Sequence, residues 1–183
     1  MLQVTSRSGR QPVIDIPVKL VVPAYRTAID AGAATESVDA LGDTWGPDRK
    51  HAAGSYGHLG TTSTLSTTRP ITGAADPTMY RTARQGMYEY RFDTLPEGTY
   101  EVEPGFAELA ARRPTGRVFD VMAERTQFVP NLDLALEAGV RVAHPRSFTV
   151  KVTDGQLTLC FVANAGKTLV NSVRVTHRPD LTS

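Results

Sequence analysis

The stretch from Met79 to Val121 reads MYRTARQGMYEYRFDTLPEGTYEVEPGFAELAARRPTGRVFDV, and it decides the fold. From residue 87 to residue 93 aromatic side chains occupy every second position, with charged groups between them. This is the two-residue period of a strand with one buried face. A Leu-Pro-Glu-Gly turn follows at 95–98, the alternation resumes from Tyr100, and a third run begins at Phe119. Strand, turn, strand, loop and strand predict an antiparallel sheet with one face in water.

Another long alternating run lies near the start of the chain. Between Val13 and Val22, every second residue from Ile14 onward is apolar, which predicts one long strand. Pro17 lacks a backbone N–H, so this strand is expected at a sheet edge, and Pro23 ends it. We interpret residues 1–24 as separate from the rest, either as the last strands of a preceding β-domain or as an accessory strand.

The C-terminal part of the chain adds further strands and little helix. Residues 147–153 alternate, and the Asp-Gly dipeptide at 154–155 is the one preferred in two-residue β-hairpins. A last strand is predicted at 168–176. The segment LDLALEA at 132–138 has the composition of about two helical turns. Short strands separated by Gly/Pro turns predict an all-β protein, a two-sheet antiparallel β-sandwich with long loops and at most one or two short helical turns.

Composition narrows the class of protein. The chain has 183 residues, 40% hydrophobic and 21% charged, with a net charge of +1, which fits one soluble domain with extra strand or linker. This charge favours neither nucleic acid nor an anionic membrane as partner, and no apolar run approaches the roughly 20 residues of a membrane span. Cys160 is the one cysteine, so no intrachain disulfide forms, and a structural thiol is expected.

Catalytic motifs are absent from the sequence. It contains no G-x-S-x-G, no phosphate-binding P-loop, no H-E-x-x-H and no C-x-x-C, and its four histidines have no ligand spacing. Glu97, Glu101 and Glu103 fall in a turn and on the outer face of the strand after it, where solvated surface acids are expected. A glycosidase would need two carboxyl groups facing each other across a cleft. We therefore expect no enzyme activity in this domain.

Three aspartates in the long loop region could supply oxygen ligands. Asp39, Asp43 and Asp48 would suit a structural calcium ion, although their spacing matches no EF-hand. The alternative is that these side chains cap local turns. No other cofactor is predicted.

Four motifs carry a resemblance to a known family. They are YRTAR at 80–84, GTYEV at 98–102, FAE at 106–108 and GRVFDV at 116–121. In this order they resemble malectin domains, which are carbohydrate-binding β-sandwich modules. The resemblance covers about residues 25–177 and implies a jelly-roll, galactose-binding-like sandwich of the malectin type, with residues 178–183 as a tail.

The arrangement before this module is similar to that in secreted actinobacterial subtilisin-like peptidases, where a small fibronectin-like domain precedes a malectin-like one. The resemblance implies that residues 1–24 come from such a domain. It also implies that the chain is part of a larger secreted precursor, with the catalytic domain of a parent peptidase as partner and tethering to glycans as the task.

The resemblance also implies a sugar site. Sugars present C–H faces that stack on aromatic rings and hydroxyl groups that need donors and acceptors. Laid along the family pattern, Trp45, Tyr56 and Tyr88 match aromatic residues of a shallow pocket at one end of the sandwich, with Arg84 beside them. Asn164 lies in the loop where the family has an acid, and it could replace that acceptor. The expected partner is an oligosaccharide or polysaccharide, possibly a glucan.

Each of these residues has a structural alternative. Trp45 could plug a loop over the core, Tyr88 could join the aromatic core, and Arg84 could hold a buried carboxylate. If Trp45 and Tyr56 pack against other loops, a structural or protein-docking domain is favoured. Exposed rings around a concavity would favour the sugar site.

Overall fold

The computed structural model describes residues 2–5, 13–16 and 20–181, and almost all of its regular structure is strand. The strands are β1 (Leu2–Thr5), β2 (Val13–Ile16), β3 (Arg26–Asp30), β4 (Ser37–Val38), β5 (Thr44–Pro47), β6 (Tyr56–Leu59), β7 (Ser63–Ser66), β8 (Thr82–Gln85), β9 (Glu89–Asp93), β10 (Gly98–Phe106), β11 (Val118–Ala123), β12 (Thr126–Leu132), β13 (His144–Pro145), β14 (Phe148–Val152), β15 (Gln156–Ala165), β16 (Leu169–Val170) and β17 (Ser172–His177).

Two large sheets form the sandwich. The first has seven strands in the order β13-β10-β17-β3-β5-β4, with β14 also paired to β10, and the second has five in the order β12-β11-β15-β9-β6. A three-stranded sheet, β16-β8-β7, and a two-stranded sheet, β1-β2, accompany them. The predicted all-β sandwich is confirmed.

The core lies between the two large sheets. From β9 the fully buried side chains are Tyr90 and Phe92, and from β10 they are Tyr100, Val102 and Phe106. They belong to one cluster with residues of both sheets. Burying a side chain of this size stabilises the fold by about 1.5–3 kcal/mol, so the apolar set of each alternating run fixes which face points inward.

The pairing of the central strands differs from the prediction. β9 and β10 were expected to form a hairpin, but β9 pairs with β15 and β6, whereas β10 pairs with β17 and β14. The turn at 95–98 therefore carries the chain from one sheet to the other. The physical reason is that both strands bury aromatic residues, and facing strands of a sandwich bury them against each other.

The Asp-Gly turn is a second connection of this kind. β14 before it pairs with β10 of the first sheet, and β15 after it pairs with β9 and β11 of the second. Gly155 has φ +77°, the left-handed conformation that glycine adopts without strain. The turn chemistry was predicted, but the hairpin was wrong.

Two other predicted elements are shorter than expected. The helix spans only Leu134–Glu137, and Asp133 caps it by accepting from the Leu136 N–H. Of the predicted strand at 13–22, Val13–Ile16 pairs with β1, and residues 17–19 lie outside the described ranges. Residues 20–22 are not in a strand. In the ranges that the structure describes, no helix is long and apolar enough to cross a membrane.

Pro104 lies inside β10 and does not interrupt it. β10 pairs with β17 without a shift from Tyr100 to Gly105. On its other side β10 changes partner, from β14 up to Val102 to β13 from Gly105. The N–H that Pro104 lacks falls in the gap between those two partners, so no ladder hydrogen bond is lost.

Candidate ligand-binding cleft

A cleft of about 420 Å³ lies against the outer face of the seven-stranded sheet. Its floor comes from β10 and β17, where Glu103 is paired with Arg174 and Gly105 with Ser172. These residues alternate with fully buried core residues such as Val102, so their side chains face away from the core. The floor is therefore polar.

The walls come from neighbouring elements. Trp45 in β5, Tyr80 at the end of a short 3-10 turn and the segment 145–147 line the sides. Gly105 leaves the space that the Tyr80 ring occupies, because a Cβ atom there would approach Cε1 of that ring to 3.1 Å and collide with Oγ of Ser172. The missing side chain at Gly105 thus helps to open the cleft.

Trp45 is fixed on one edge and one face. The indole is only 7% exposed, and its Nε1 donates to Oδ2 of Asp39 at 2.9 Å. That hydrogen bond lowers the pKa of Asp39. The Arg174 guanidinium lies over the ring, 4.6 Å from its centroid. What the cleft receives from Trp45 is therefore an edge, not a whole face.

Several polar groups of the lining are used within the protein. Both oxygens of Asp39 accept hydrogen bonds, from the Trp45 indole and from the backbone of the loop it caps. Both oxygens of Asp76 accept backbone N–H groups. Arg146 forms an ion pair with Glu137 at 2.7 Å. These groups shape the cleft and hold its loops.

Other lining groups have no such partner. Among the described residues, neither the Glu103 carboxylate nor the Tyr80 hydroxyl forms a hydrogen bond or ion pair, and Nε of Arg174 is buried without a partner. Burial raises the pKa of Glu103, against the opposing effect of Arg174. Since polar groups removed from water nearly always find a hydrogen-bond partner, the Glu103 carboxylate can accept from a ligand and the Tyr80 hydroxyl can donate to it. Nε of Arg174 has essentially no exposed surface and is not available to a ligand.

Tyr56 lies outside the cleft and is packed. Its ring stacks on Phe92 with centroids 6.3 Å apart, and the Arg49 guanidinium covers it at 3.8 Å from the centroid. Its hydroxyl donates to the carbonyl of Pro47 at 3.2 Å. These contacts give Tyr56 a structural role at the β5–β6 junction.

Arg84 holds a buried carboxylate. Its Nε donates to Oδ2 of Asp48 at 2.6 Å, and the Asp48 side chain is fully buried. Asp48 also accepts from the Tyr90 hydroxyl at 2.9 Å and from the Gly32 N–H at 2.8 Å. This is the structural alternative given above for Arg84.

Tyr88 and Asn164 do not line the cleft. Tyr88 is 56% exposed and packs near Gly60, so it presents an open ring. Asn164 is exposed in β15 and donates to Asp120 and Asn131, each at 3.1 Å. Of the predicted site residues, only Trp45 lines the cleft.

The three aspartates considered for calcium are engaged with protein donors. Asp39 accepts from the N–H two residues on, at Leu41, as a turn-capping aspartate does. Asp43 pairs with Arg26, and Asp48 lies in the buried cluster with Arg84. Within the described ranges no group of three or more His, Cys, Asp or Glu side chains could hold a metal ion.

Glu103, Arg174 and Tyr80 were not predicted as site residues. Glu103 was interpreted as a solvated surface acid, but it is half-buried in the cleft. The alternation did place it on the outer face of its strand. What the sequence lacks is the pairing of β10 with β17, which sets Glu103 beside Arg174.

The fold is a sandwich of two β-sheets, and the cleft lies on the outer face of the larger one. A family model, the malectin domain, matches residues 25–182. The chain therefore belongs to the malectin domain family. A comparison with curated proteins found no significant match.

Solved structures share the fold. The β-glucuronidase of Bacteroides uniformis is 23% identical with a TM-score of 0.78, over 84% of this chain and 18% of that one. The ANX2 ectodomain of Arabidopsis thaliana is 17% identical with a TM-score of 0.66, over 82% and 49%. The plant receptor-like kinase FER is 20% identical with a TM-score of 0.69, over 87% and 43%. The chain thus spans less than half of each of these proteins.

Proposed function

We propose that this domain is a non-catalytic carbohydrate-binding module and that its sugar site is the cleft beside Trp45. One observation carries the proposal: around a cavity of about 420 Å³, an indole edge meets polar groups that have no partner among the described residues. A sugar needs an apolar contact for its C–H face and hydrogen-bonding groups for its hydroxyls. Small-molecule sites typically have volumes of about 300–1,000 Å³.

The proposed site shares one residue with the pocket predicted from the sequence. Trp45 belongs to both. Tyr56, Arg84 and Asn164 have protein partners that account for their positions, and their contact with sugar stays a prediction. Tyr88 keeps an open ring, and we propose it as a separate, weaker stacking surface at the end of the sandwich.

The arrangement of carboxylates supports binding rather than hydrolysis. Glycoside hydrolysis uses two carboxyl groups, one as acid and one as base or nucleophile. In the cleft, both oxygens of Asp39 and both of Asp76 already accept hydrogen bonds. Glu103 is thus left without a second free carboxylate. A single acid of this kind can hold a ligand but lacks a catalytic partner.

We further propose that the domain tethers a larger secreted enzyme to glycans, with a glucan as a candidate ligand and a subtilisin-like peptidase as the candidate parent. The proposals that the parent is a peptidase and that it is secreted are based on the sequence resemblance. A matching domain that makes up 18% of a glycosidase chain supports the idea of an accessory domain. Affinity at a single site is expected in the micromolar to millimolar range, about −8 to −4 kcal/mol.

A protein-docking domain is the second candidate. The packing of Trp45 and of Tyr56 is what that alternative predicts for these rings. The solved complex of FER and LLG2 with the plant peptide RALF23 contains a chain with the same fold, at a TM-score of 0.65. The docking candidate does not account for the unpartnered groups in the cleft.

Calorimetric titration with neutral oligosaccharides, α-glucans included, tests the proposal. The wild type is expected to bind at least one of them. An Ala75→Phe variant should not bind, because Ala75 lines the cleft and is exposed, so the larger side chain fills the site without removing a contact. Ala111→Phe, at an exposed alanine outside the cleft, is the matched control. Equal binding by all three proteins would contradict this site.

A further inference from the structure

The two charged residues on the cleft floor are neighbours but do not pair. Glu103 and Arg174 are directly opposed on β10 and β17, the arrangement in which opposite charges commonly form an ion pair. Arg174 instead turns toward β5, where it covers Trp45 and lies 3.2 Å from Asp43 and 3.6 Å from Asp39. The Glu103 carboxylate is left without its cation.

Among the described residues of the lining, no other cation takes the place of Arg174 as an ion-pair partner of Glu103. Arg146 is the second arginine of the cleft, and its guanidinium is paired with Glu137 at 2.7 Å. The lining also carries the hydroxyls of Ser172 on the floor and Tyr80 on the wall. Arg174, Arg26 and Arg178 act on Glu103 through their charge, but none of them forms an ion pair or hydrogen bond with it among the described residues. The half-buried carboxylate can therefore still accept from a ligand.

The chemistry of that site selects among sugars. A carboxylate accepts hydrogen bonds from a neutral hydroxyl, but its bonds to an ammonium group are charge-assisted and about twice as strong. An N-acetyl group carries no charge, and an acidic sugar would bring a second negative charge to a partly buried carboxylate. The ligand that satisfies Glu103 best is therefore one with a protonated amine.

We propose that the cleft selects an amino sugar, whose ammonium group pairs with Glu103 while its hydroxyl groups meet Tyr80 and Ser172. This inference rests on the proposed carbohydrate-binding function and adds the class of sugar. Glu103 is the residue that determines specificity, and Trp45 supplies an apolar edge common to all sugars.

Three β-1,4-linked oligosaccharides of equal length test the inference. Oligomers of glucose, of glucosamine and of N-acetylglucosamine differ only in the group at C2, which is a hydroxyl, an ammonium and an acetamide. Calorimetric titration slightly below neutral pH keeps the amine charged. The wild type is expected to bind the glucosamine oligomer about tenfold more tightly than the other two, the gain typical of one hydrogen bond between charged groups. Raising the salt concentration should reduce this preference, because the pair is electrostatic.

Glu103→Gln isolates the charge. It keeps the shape of the side chain and is expected to bring the glucosamine oligomer down to the affinity of the glucose oligomer, with the latter unchanged. Glu97→Gln removes the same charge from an exposed position outside the cleft and should leave the preference intact. Circular dichroism confirms that both variants are folded.

The possible results distinguish failure of the amino-sugar inference from failure of the carbohydrate-binding function. Equal binding of all three oligomers, unchanged in Glu103→Gln, would overturn the amino-sugar inference and leave the carbohydrate-binding function standing. No binding of any oligomer, charged or neutral, together with none of the neutral glucans above, would overturn both.

Discussion

Two clusters of polar side chains, one around Asp48 and one around Glu103, differ in how completely the protein satisfies them. Around Asp48, the carboxylate is fully buried and accepts from Arg84, Tyr90 and the backbone of Gly32. Around Glu103, a half-buried carboxylate has no donor among the described residues. Both regions contain residues of the types found in sugar sites.

The hydrogen-bond donors around each carboxylate separate the cluster that stabilises the fold from the cluster that can bind a ligand. A buried carboxylate with its full set of donors stabilises the fold by holding elements together, and a ligand would have to displace those bonds. An unpartnered carboxylate in an open cleft costs stability and gains a partner only when something binds. Residue type alone does not separate the two cases. Hydrogen-bond partners do.

The largest expected effect comes from the satisfied cluster. Asp48→Ala leaves the Arg84 charge and the Tyr90 hydroxyl without their acceptor, which should lower the free energy of unfolding by about 3–5 kcal/mol. Urea denaturation measures it. Asp154→Ala, at an exposed aspartate that bonds only to its own turn, should change stability by less than about 0.5 kcal/mol. Similar losses in both variants would contradict the structural role of Asp48.

Trp45 is expected to contribute both to stability and to binding, since it is packed against other residues and also lines the cleft. Trp45→Phe keeps an aromatic ring and removes the indole donor to Oδ2 of Asp39, leaving that oxygen with only the longer ion pair to Arg174 at 3.6 Å. We expect a loss of about 1–3 kcal/mol in the free energy of unfolding, measured by circular dichroism during denaturation. Sugar affinity by calorimetry should fall as well. Stability lost with affinity unchanged would show that the indole edge does not contact the ligand.

Glu103→Gln should act on stability in the opposite direction. Burial raises the pKa of Glu103 in the folded protein, so the folded state binds this proton more tightly than the unfolded chain. That contribution to stability is fully present below the pKa of the unfolded chain and is lost as pH rises through the raised pKa of the folded state. The Gln variant has no carboxyl group at this position, so its stability does not depend on pH in this way.

The measurement is a series of urea denaturations from acid to neutral pH. Relative to the wild type, Glu103→Gln should gain stability as pH rises, by less than about 1 kcal/mol because the carboxyl is partly exposed. A variant that becomes less stable than the wild type toward neutral pH would mean that Glu103 has a protein partner after all.

The smallest effect is expected at Tyr88. Its ring is 56% exposed, so Tyr88→Ala should change the free energy of unfolding by less than about 0.5 kcal/mol and leave calorimetric binding in the cleft unchanged. Loss of all sugar binding in this variant would instead locate the main site at the end of the sandwich, where the family pattern predicted it.

The strands could be predicted from the sequence because alternation is local. Tyr90 and Phe92 fall on the buried side of β9 as the pattern requires. Which strands pair is set by contacts far apart in the chain, and two turns that looked like hairpins, at 95–98 and 154–155, connect different sheets. An aromatic strand packs equally well beside another or across the core from it, so the pattern alone cannot decide.

The site was predictable only in part for the same reason. Trp45 was singled out because sugars stack on aromatic rings and the family pattern matches it to a pocket aromatic, and it lines the cleft. Glu103 and Arg174 become neighbours only through the β10–β17 pairing. Arg84 looked equally suited to a ligand or a buried acid, because nothing in the sequence shows that Asp48 lies against it.

Whether the cleft beside Trp45 binds sugar is best tested by titrating the fluorescence of Trp45 with oligosaccharides. The chain has a single tryptophan, and that residue lines the cleft. The account predicts a saturable change with at least one sugar in the wild type and in Tyr88→Ala, and none in Ala75→Phe. A flat response from folded wild-type protein to the whole panel, amino sugars included, would contradict it and favour the docking domain.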